Sequence, residues 1–375
     1  MASISKHANG HYRARYRDDA GRQHARHFRR KIDAQRWLDE VTASVVTGQY
    51  VDPRAGKVSF GDYAEQWRAA QVHRPSSQAH IETMLRRHAY PTFGDRPLSS
   101  ILPSEIQAWV QRIGAVEGSR KALAPATVCV VHGIVSSVFK AAVRDRRIMA
   151  SPCEGTKLPK PERVKVVPPT TEQVELLRDA MDPALRAVVT FTAGTGLRQG
   201  EVFGLTVDRL NMLRRELTVD RQLVQLPRQP PRLGPPKAKA SVRTVPLPQV
   251  VVDALAAHLA DYPPGPDGLV FTLEGEPMNR QAFGRLWRPA ARAANLPHGT
   301  GLHLLRHYYA SLLIRYGESV KTVQARLGHA TAAETLDTYS HLWPDSDDRT
   351  REAVDSQLRG IPRQVEDNVR TVASD

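Results

Sequence analysis

The stretch Gly301-Leu302-His303-Leu304-Leu305-Arg306-His307-Tyr308-Tyr309 sets two anion-holding side chains three residues apart in an apolar run. Leu304, Leu305, Leu312 and Leu313 carry the helical spacing across residues 302–316. On such a helix His303 and Arg306 stand at i and i+3 and share a face. Alone, a His-x-x-Arg pair is a weak signal that arises in ordinary surface helices.

Working outward, Thr195-Gly196-Leu197-Arg198-Gln199-Gly200-Glu201 reads as a glycine-bearing turn into a helix that begins with arginine. A cation is poorly placed there for the helix dipole, but well placed to join that helix end in holding an anion. Leu327-Gly328-His329 closes a short helix, and ten residues later Tyr339 stands in Asp337-Thr338-Tyr339-Ser340-His341. Lys237 lies in Pro235-Pro236-Lys237-Ala238-Lys239, just before a strand ending at Val245-Pro246-Leu247.

In this order and spacing, TGLRQGE (195–201), PKAKASVRTVPL (236–247), HLLRH (303–307), LGH (327–329) and TYSH (338–341) resemble the tyrosine site-specific recombinases, specifically phage-type integrases of actinobacterial character. The resemblance implies a multidomain, mainly α fold. Its parts are a small N-terminal β-sheet with one helix (arm-site DNA binding, 1–48), a helical core-binding bundle (58–150), a basic proline-rich linker (151–170), a mixed α/β catalytic domain (171–345) and a C-terminal tail (346–375). It also implies roles. Arg198 and Arg306 clamp the scissile phosphate, His303 hydrogen-bonds it and assists proton transfer, and His329 donates to a non-bridging oxygen. Lys237 protonates the departing 5′ oxygen, and Tyr339 is the nucleophile that forms a 3′-phosphotyrosine. Glu201 orients the arginine region. Lys239 remains an alternative to Lys237, because both would face the same way on an extended segment.

These residue types suit that chemistry. Guanidinium offers planar paired donors and keeps its charge. A free tyrosine has a pKa of about 10, so neighbouring cations are expected to ease its ionisation and to stabilise a phosphorane-like transition state. The covalent intermediate conserves the energy of the broken phosphodiester, so neither ATP, metal nor another cofactor is expected. Tyr308 and Tyr309 sit in the apolar helix and are expected to pack in the core.

The rest of the chain fits a polyanion-binding protein. Its 375 residues carry a formal charge of +14, with 41% hydrophobic residues. Residues 1–31 hold nine Lys or Arg against Asp18 and Asp19. His11 to Arg17 alternates with period two, placing Tyr12, Ala14 and Tyr16 on one face and His11, Arg13, Arg15 and Arg17 on the other. Asp18-Asp19-Ala20-Gly21 reads as a hairpin turn, 22–30 as the return strand, and Ala34, Trp37, Leu38, Val41 and Val45 as a backing helix. Such a ribbon can enter a DNA major groove, with Arg13, Arg15, Arg17, Arg26 and Arg29 as candidate contacts; the bland alternative is a solvated charged face. Helices are expected near 60–67, 76–89, 103–113 and 126–143, and then at 249–260, 279–294, 302–316, 319–327 and 333–342. Strands are expected at 216–219 and 241–245. The proline- and lysine-rich 151–170 either lies along a nucleic-acid backbone or is a solvated hinge.

No apolar run approaches the roughly 18–20 residues of a membrane span, and the N-terminus lacks an apolar signal core. Two cysteines, Cys129 and Cys153, give neither a disulfide framework nor a zinc set. The expectation is a bacterial cytoplasmic, nucleoid-associated integrase. It acts on double-stranded DNA at core and arm attachment sites as a homotetramer, with a host DNA-bending protein and an excisionase-type directionality factor. Rival readings are a DNA-binding regulator that has lost catalysis, a type IB-like topoisomerase, and an RNA-binding protein.

Overall fold

The computed structural model describes all residues except 1, 8–9, 18–20, 48–49, 53, 117–120, 163–164, 237, 344–346 and 359–375. The chain divides into two compact units, Met1–Arg163 and Val164–Asp375.

The first unit opens with a three-stranded antiparallel sheet, Ser3–Lys6, Tyr12–Arg17 and Gln23–Phe28, with the helix Lys31–Val46 across one face. Period-two alternation buries Ala14 and Tyr16 against Ala34 and Leu38, as the pattern requires. Two features depart from expectation. The first strand, Ser-Ile-Ser-Lys, is too short and polar to announce itself; only its pairing with Tyr12–Arg17 makes it a strand. The candidate arginines also do not share one face. Arg26 lies opposite Ala14 in register, on the helix-covered side, with its guanidinium 5.3 Å over the Phe28 ring. Arg13, Arg15 and Arg17 occupy the other face, and Arg29 follows the last strand. The expected hairpin turn falls mostly on residues outside the described set.

The helical part of this unit comprises Phe60–Ala70, Pro75–Met84, Pro103–Ile113 and Pro125–Arg144. Ser59 caps the first, its Oγ accepting from the Asp62 amide at 3.0 Å. The second runs on through a π turn, Leu85–Ala89, into Tyr90–Phe93. A π turn disturbs the regular carbonyl ladder, and here the His88 carbonyl accepts the Trp109 indole N–H at 2.9 Å. Phe60, Phe93, Trp109 and Phe139 fill the core, which extends to the buried Cys153.

The expectation that no apolar run reaches spanning length needs correction. Pro125–Arg144 is 20 residues long, with mean hydropathy 1.7 over its most apolar window, enough to cross a membrane by length and composition. His132 and a pair of serines break up its appearance in sequence. In the fold its stripe of Val128, Val131, Val135, Val138 and Phe139 is buried in the bundle core.

In the second unit the helix Arg186–Thr195 packs against Gln249–Asp261 and His303–Arg315, with Thr171–Ala180 alongside. Helices Arg280–Ala293, Val320–Leu327 and Ala332–Tyr339 follow the sequence expectations to within a few residues. Glu216–Val219 pairs antiparallel with Leu210–Asn211 and Arg243–Pro246. The proline-rich separator contributes a strand that sequence did not suggest, Arg232–Gly234, paired with Gln222–Val224. The tail carries a helix, Asp347–Leu358.

Candidate active site

The site is organised by the C-terminal ends of two helices. Arg186–Thr195 and Val320–Leu327 each end on a glycine in the left-handed region, Gly196 (φ +63°) and Gly328 (φ +65°). Left-handed backbone favours glycine, and the last carbonyls of a helix have no partner within it. Arginines supply the partners. Arg306, 1% exposed, donates from Nη1 to the Gly196 carbonyl and from Nη2 to the Leu327 carbonyl, both at 2.8 Å. Arg198 Nη2 donates to the Gly328 carbonyl at 3.0 Å, and Arg243 Nε to the Arg326 carbonyl at 2.8 Å. Three consecutive carbonyls, 326 to 328, thus each receive a different arginine, at the helix end that carries negative partial charge.

Glu201 holds the arrangement from beneath. Its carboxylate accepts from the Arg198 backbone N–H at 3.0 Å, from Arg198 Nη1 at 3.2 Å and from Arg243 Nη2 at 2.9 Å. Burial pushes its pKa upward, but the Arg243 hydrogen bond and charge, with help from Arg198, outweigh burial and leave the pKa lowered. The expectation that Glu201 orients the arginines agrees with these bonds. Burial also lowers the pKa of Arg306, and the Arg198 charge adds to the effect.

Tyr339 is the last residue of Ala332–Tyr339 and is 1% exposed. Its hydroxyl is 2.8 Å from His307 Nδ1. Burial pushes the phenol up to about 12, while Arg306 and Arg198 pull it down. The expected easing by cations is therefore outweighed in this state, because desolvation of a phenolate costs more than two arginines already engaged with carbonyls return. The His329 ring stacks parallel to Tyr339, centroids 6.5 Å apart, and its Nδ1 is 2.8 Å from Thr335 Oγ1. Burial and then the Arg306 charge lower His329 to about 4.

His303 sits one turn before His307, exposed at its outer edge, the two rings edge-to-face at 4.7 Å. Partial burial of its ring, with the Arg306 and Arg198 charges, lowers its pKa. Tyr308 and Tyr309 are buried, and the Tyr308 hydroxyl pairs with Thr171 Oγ1 at 3.0 Å. Lys237 lies outside the described residues. Residues Lys239–Ser241 form a 3-10 turn.

Arg198, His303, Arg306, His329 and Tyr339 thus converge from distant segments. Residues 170–345 match the phage integrase family, residues 2–47 its N-terminal domain and residues 60–157 its central domain. The chain belongs to the phage integrase family of tyrosine recombinases. It is similar to the prophage phiRv2 integrase of Mycobacterium tuberculosis, 27% identical over 358 residues and 90% of each chain. Its fold resembles that of the Tn1549 transposon integrase solved with a circular intermediate DNA (TM-score 0.66, 22% identity, 80% of this chain and 99% of that one). It also resembles that of a lambda integrase tetramer bound to a Holliday junction (TM-score 0.58, 18% identity, 88% and 96%).

Within this recombinase the sequence reading missed three participants: His307, Arg243 and Thr335. His307 had a legible signal, since it stands at i+4 from His303 and one residue past Arg306. Arg243 lies inside the quoted PKAKASVRTVPL, but nothing local says that its partner is Glu201. Among the described residues no group of three or more His, Cys, Asp or Glu is placed to hold a metal ion.

Proposed function

We propose that this integrase cuts and rejoins DNA at specific sites through a 3′-phosphotyrosine on Tyr339, integrating and excising a phage or mobile element. The observation that carries this reading is the setting of Tyr339, whose hydroxyl meets His307, whose ring stacks with His329 and whose phenol feels the charges of Arg306 and Arg198, groups that come from three separate stretches of the chain. Arg198 and Arg306 take the scissile phosphate, His303 and His329 hydrogen-bond its oxygens, and Lys237, in preference to Lys239, protonates the 5′ oxygen. Residues 58–150 and 171–345 bind the core site. Residues 1–48 bind arm sites through Arg13, Arg15, Arg17 and Arg29, with Arg26 on the helix-covered face, 151–170 as linker and the tail 346–375 docking on a neighbouring protomer.

The DNA and the tetramer in the structures of its structural neighbours support duplex DNA as partner and a tetramer as the working assembly. Two classes of DNA contact on one chain gain by effective concentration only if the intervening DNA bends. That favours a host bending protein, and reversal favours a directionality factor. A cytoplasmic, nucleoid-associated protein follows from this partner.

The test is a nicked suicide duplex carrying the core attachment sequence, with EDTA throughout. The expected result is an SDS-resistant protein–DNA adduct with the wild type and none with Tyr339→Phe, which still binds the duplex. Tight binding without any wild-type adduct would sink the enzymatic reading.

A further inference from the structure

We propose that His307, through Nδ1, is the base that takes the proton from the Tyr339 hydroxyl when the tyrosine attacks phosphorus. The inference rests on the recombinase reading above and deepens it, since the resemblance assigns His307 no role. His307 Nδ1 and Tyr339 Oη are 2.8 Å apart, within the reach required of a general base. The His303–Arg315 helix fixes the imidazole, whose ring meets Tyr339 at 5.6 Å and 66°. His303 abuts its other side edge-to-face at 4.7 Å. His329, stacked against the same phenol, has its Nδ1 engaged by Thr335.

The protons balance in one step. Neutral His307 carries its hydrogen on Nε2 and offers the Nδ1 lone pair. As the bond from Tyr339 Oη to phosphorus forms, the Oη–H bond breaks and the proton moves to Nδ1, giving imidazolium. The bond from phosphorus to the 5′ oxygen breaks, and that oxygen takes a proton from Lys237. Resealing runs backward: His307 returns its proton to Tyr339.

The charged groups facing His307 are His303, Arg306, His329 and Tyr339. Burial first, and then His303, Arg306 and His329, hold its pKa down at about 4. It is therefore neutral and able to accept, but a weak base against a phenol at about 12. A phosphate seated on the arginines would supply the missing negative charge and raise the basicity of the imidazole. The base becomes competent when DNA is in place, which protects a free protein from a needlessly ionised nucleophile.

The experiment measures single-turnover adduct formation on the nicked core duplex with wild type, Tyr339→Phe, His307→Asn and His307→Ala. Asparagine can keep a hydrogen bond to the hydroxyl but cannot take its proton. The expected result is unchanged DNA binding, a rate on the order of 10²-fold lower in both His307 variants, loss of the wild-type acidic limb in the pH–rate profile, and recovery of His307→Ala by free imidazole. The deficit should persist on a duplex with sulfur at the 5′ bridging position, whose leaving group needs no acid. A His307→Asn protein with wild-type rate and pH profile overturns the proposal. So does a folded, DNA-binding His307→Ala protein that imidazole fails to restore, or one restored by the sulfur substrate. Absence of a wild-type adduct is a separate outcome, which removes the recombinase reading and this inference with it.

Discussion

Arg243 and Glu201 form a buried ion pair, Nη2 to Oε2 at 2.9 Å, with 7% and 3% of the two side chains exposed. Glu201 also carries Arg198, and Arg243 also caps the Arg326 carbonyl, so the pair joins the strand Arg243–Pro246 to two helix ends. Removing one partner of such a pair leaves a buried charge without its main compensation. Arg243→Ala should therefore destabilise the protein by about 3 kcal/mol. It should also lower adduct formation through a misplaced Arg198, although Arg243 itself need not touch DNA. Thermal unfolding and suicide-substrate cleavage check both; a stable and fully active variant would contradict the account.

Gly196→Ala should be severely damaging. The φ of +63° strains any L side chain, and an added Cβ would sit 2.4 Å from Tyr309 Cδ1. Backbone strain and overpacking of this kind cost about 1–3 kcal/mol each. The shift would move the carbonyl that holds Arg306, so cleavage should fall more steeply than stability. The measurement is the melting temperature beside the single-turnover rate. Equal, small changes in both would show that the site tolerates displacement.

The pH dependence follows from the depressed histidines. His307 and His329, at about 4, lie below the ordinary imidazole value and are neutral in the fold. A base whose folded pKa is depressed binds more protons when unfolded at mildly acid pH. Its stabilising contribution is complete above the unfolded pKa of about 6.5, and is lost as pH falls toward 4. The melting temperature of the Val164–Asp375 unit should drop between pH 7 and pH 4.5. His307→Asn and His329→Gln should each flatten that drop, and unchanged slopes would count against the assignment.

On the N-terminal sheet, Arg13, Arg15 and Arg17 share the face away from the helix, whereas Arg26 does not. Alanine at each of the first three should weaken binding to an arm-site duplex. If the contact is to phosphate, each should also reduce the slope of log affinity against log salt by about 1. Arg26→Ala should change the salt slope least. Titrations by fluorescence anisotropy at several salt concentrations decide it, and equal slopes for all four would show that face assignment is irrelevant to binding.

Sequence alone determined the order of the five motifs, the helices near 302–316, 319–327 and 333–342 that carry three of them, the glycine-bearing turn at 195–201 and the helix end at Leu327-Gly328. These are local properties: periodicity and turn chemistry act over a few residues, so they remain readable in one dimension. The inward faces of Pro125–Arg144 and Tyr12–Arg17 were legible for the same reason. Tertiary structure decided what long-range contact decides. Arg306 reaches Gly196 across 110 positions and Arg198 reaches Gly328 across 130, and no short pattern encodes that Arg198, Arg243 and Arg306 share three successive carbonyls. The Tyr339–His307 hydrogen bond spans 32 positions and exists only because the Ser340–Leu342 turn that follows Tyr339 packs on the His303–Arg315 helix. The balance at Tyr339 belongs to the fold as well. Residue types indicate that cations are near, but only burial shows that desolvation outweighs them.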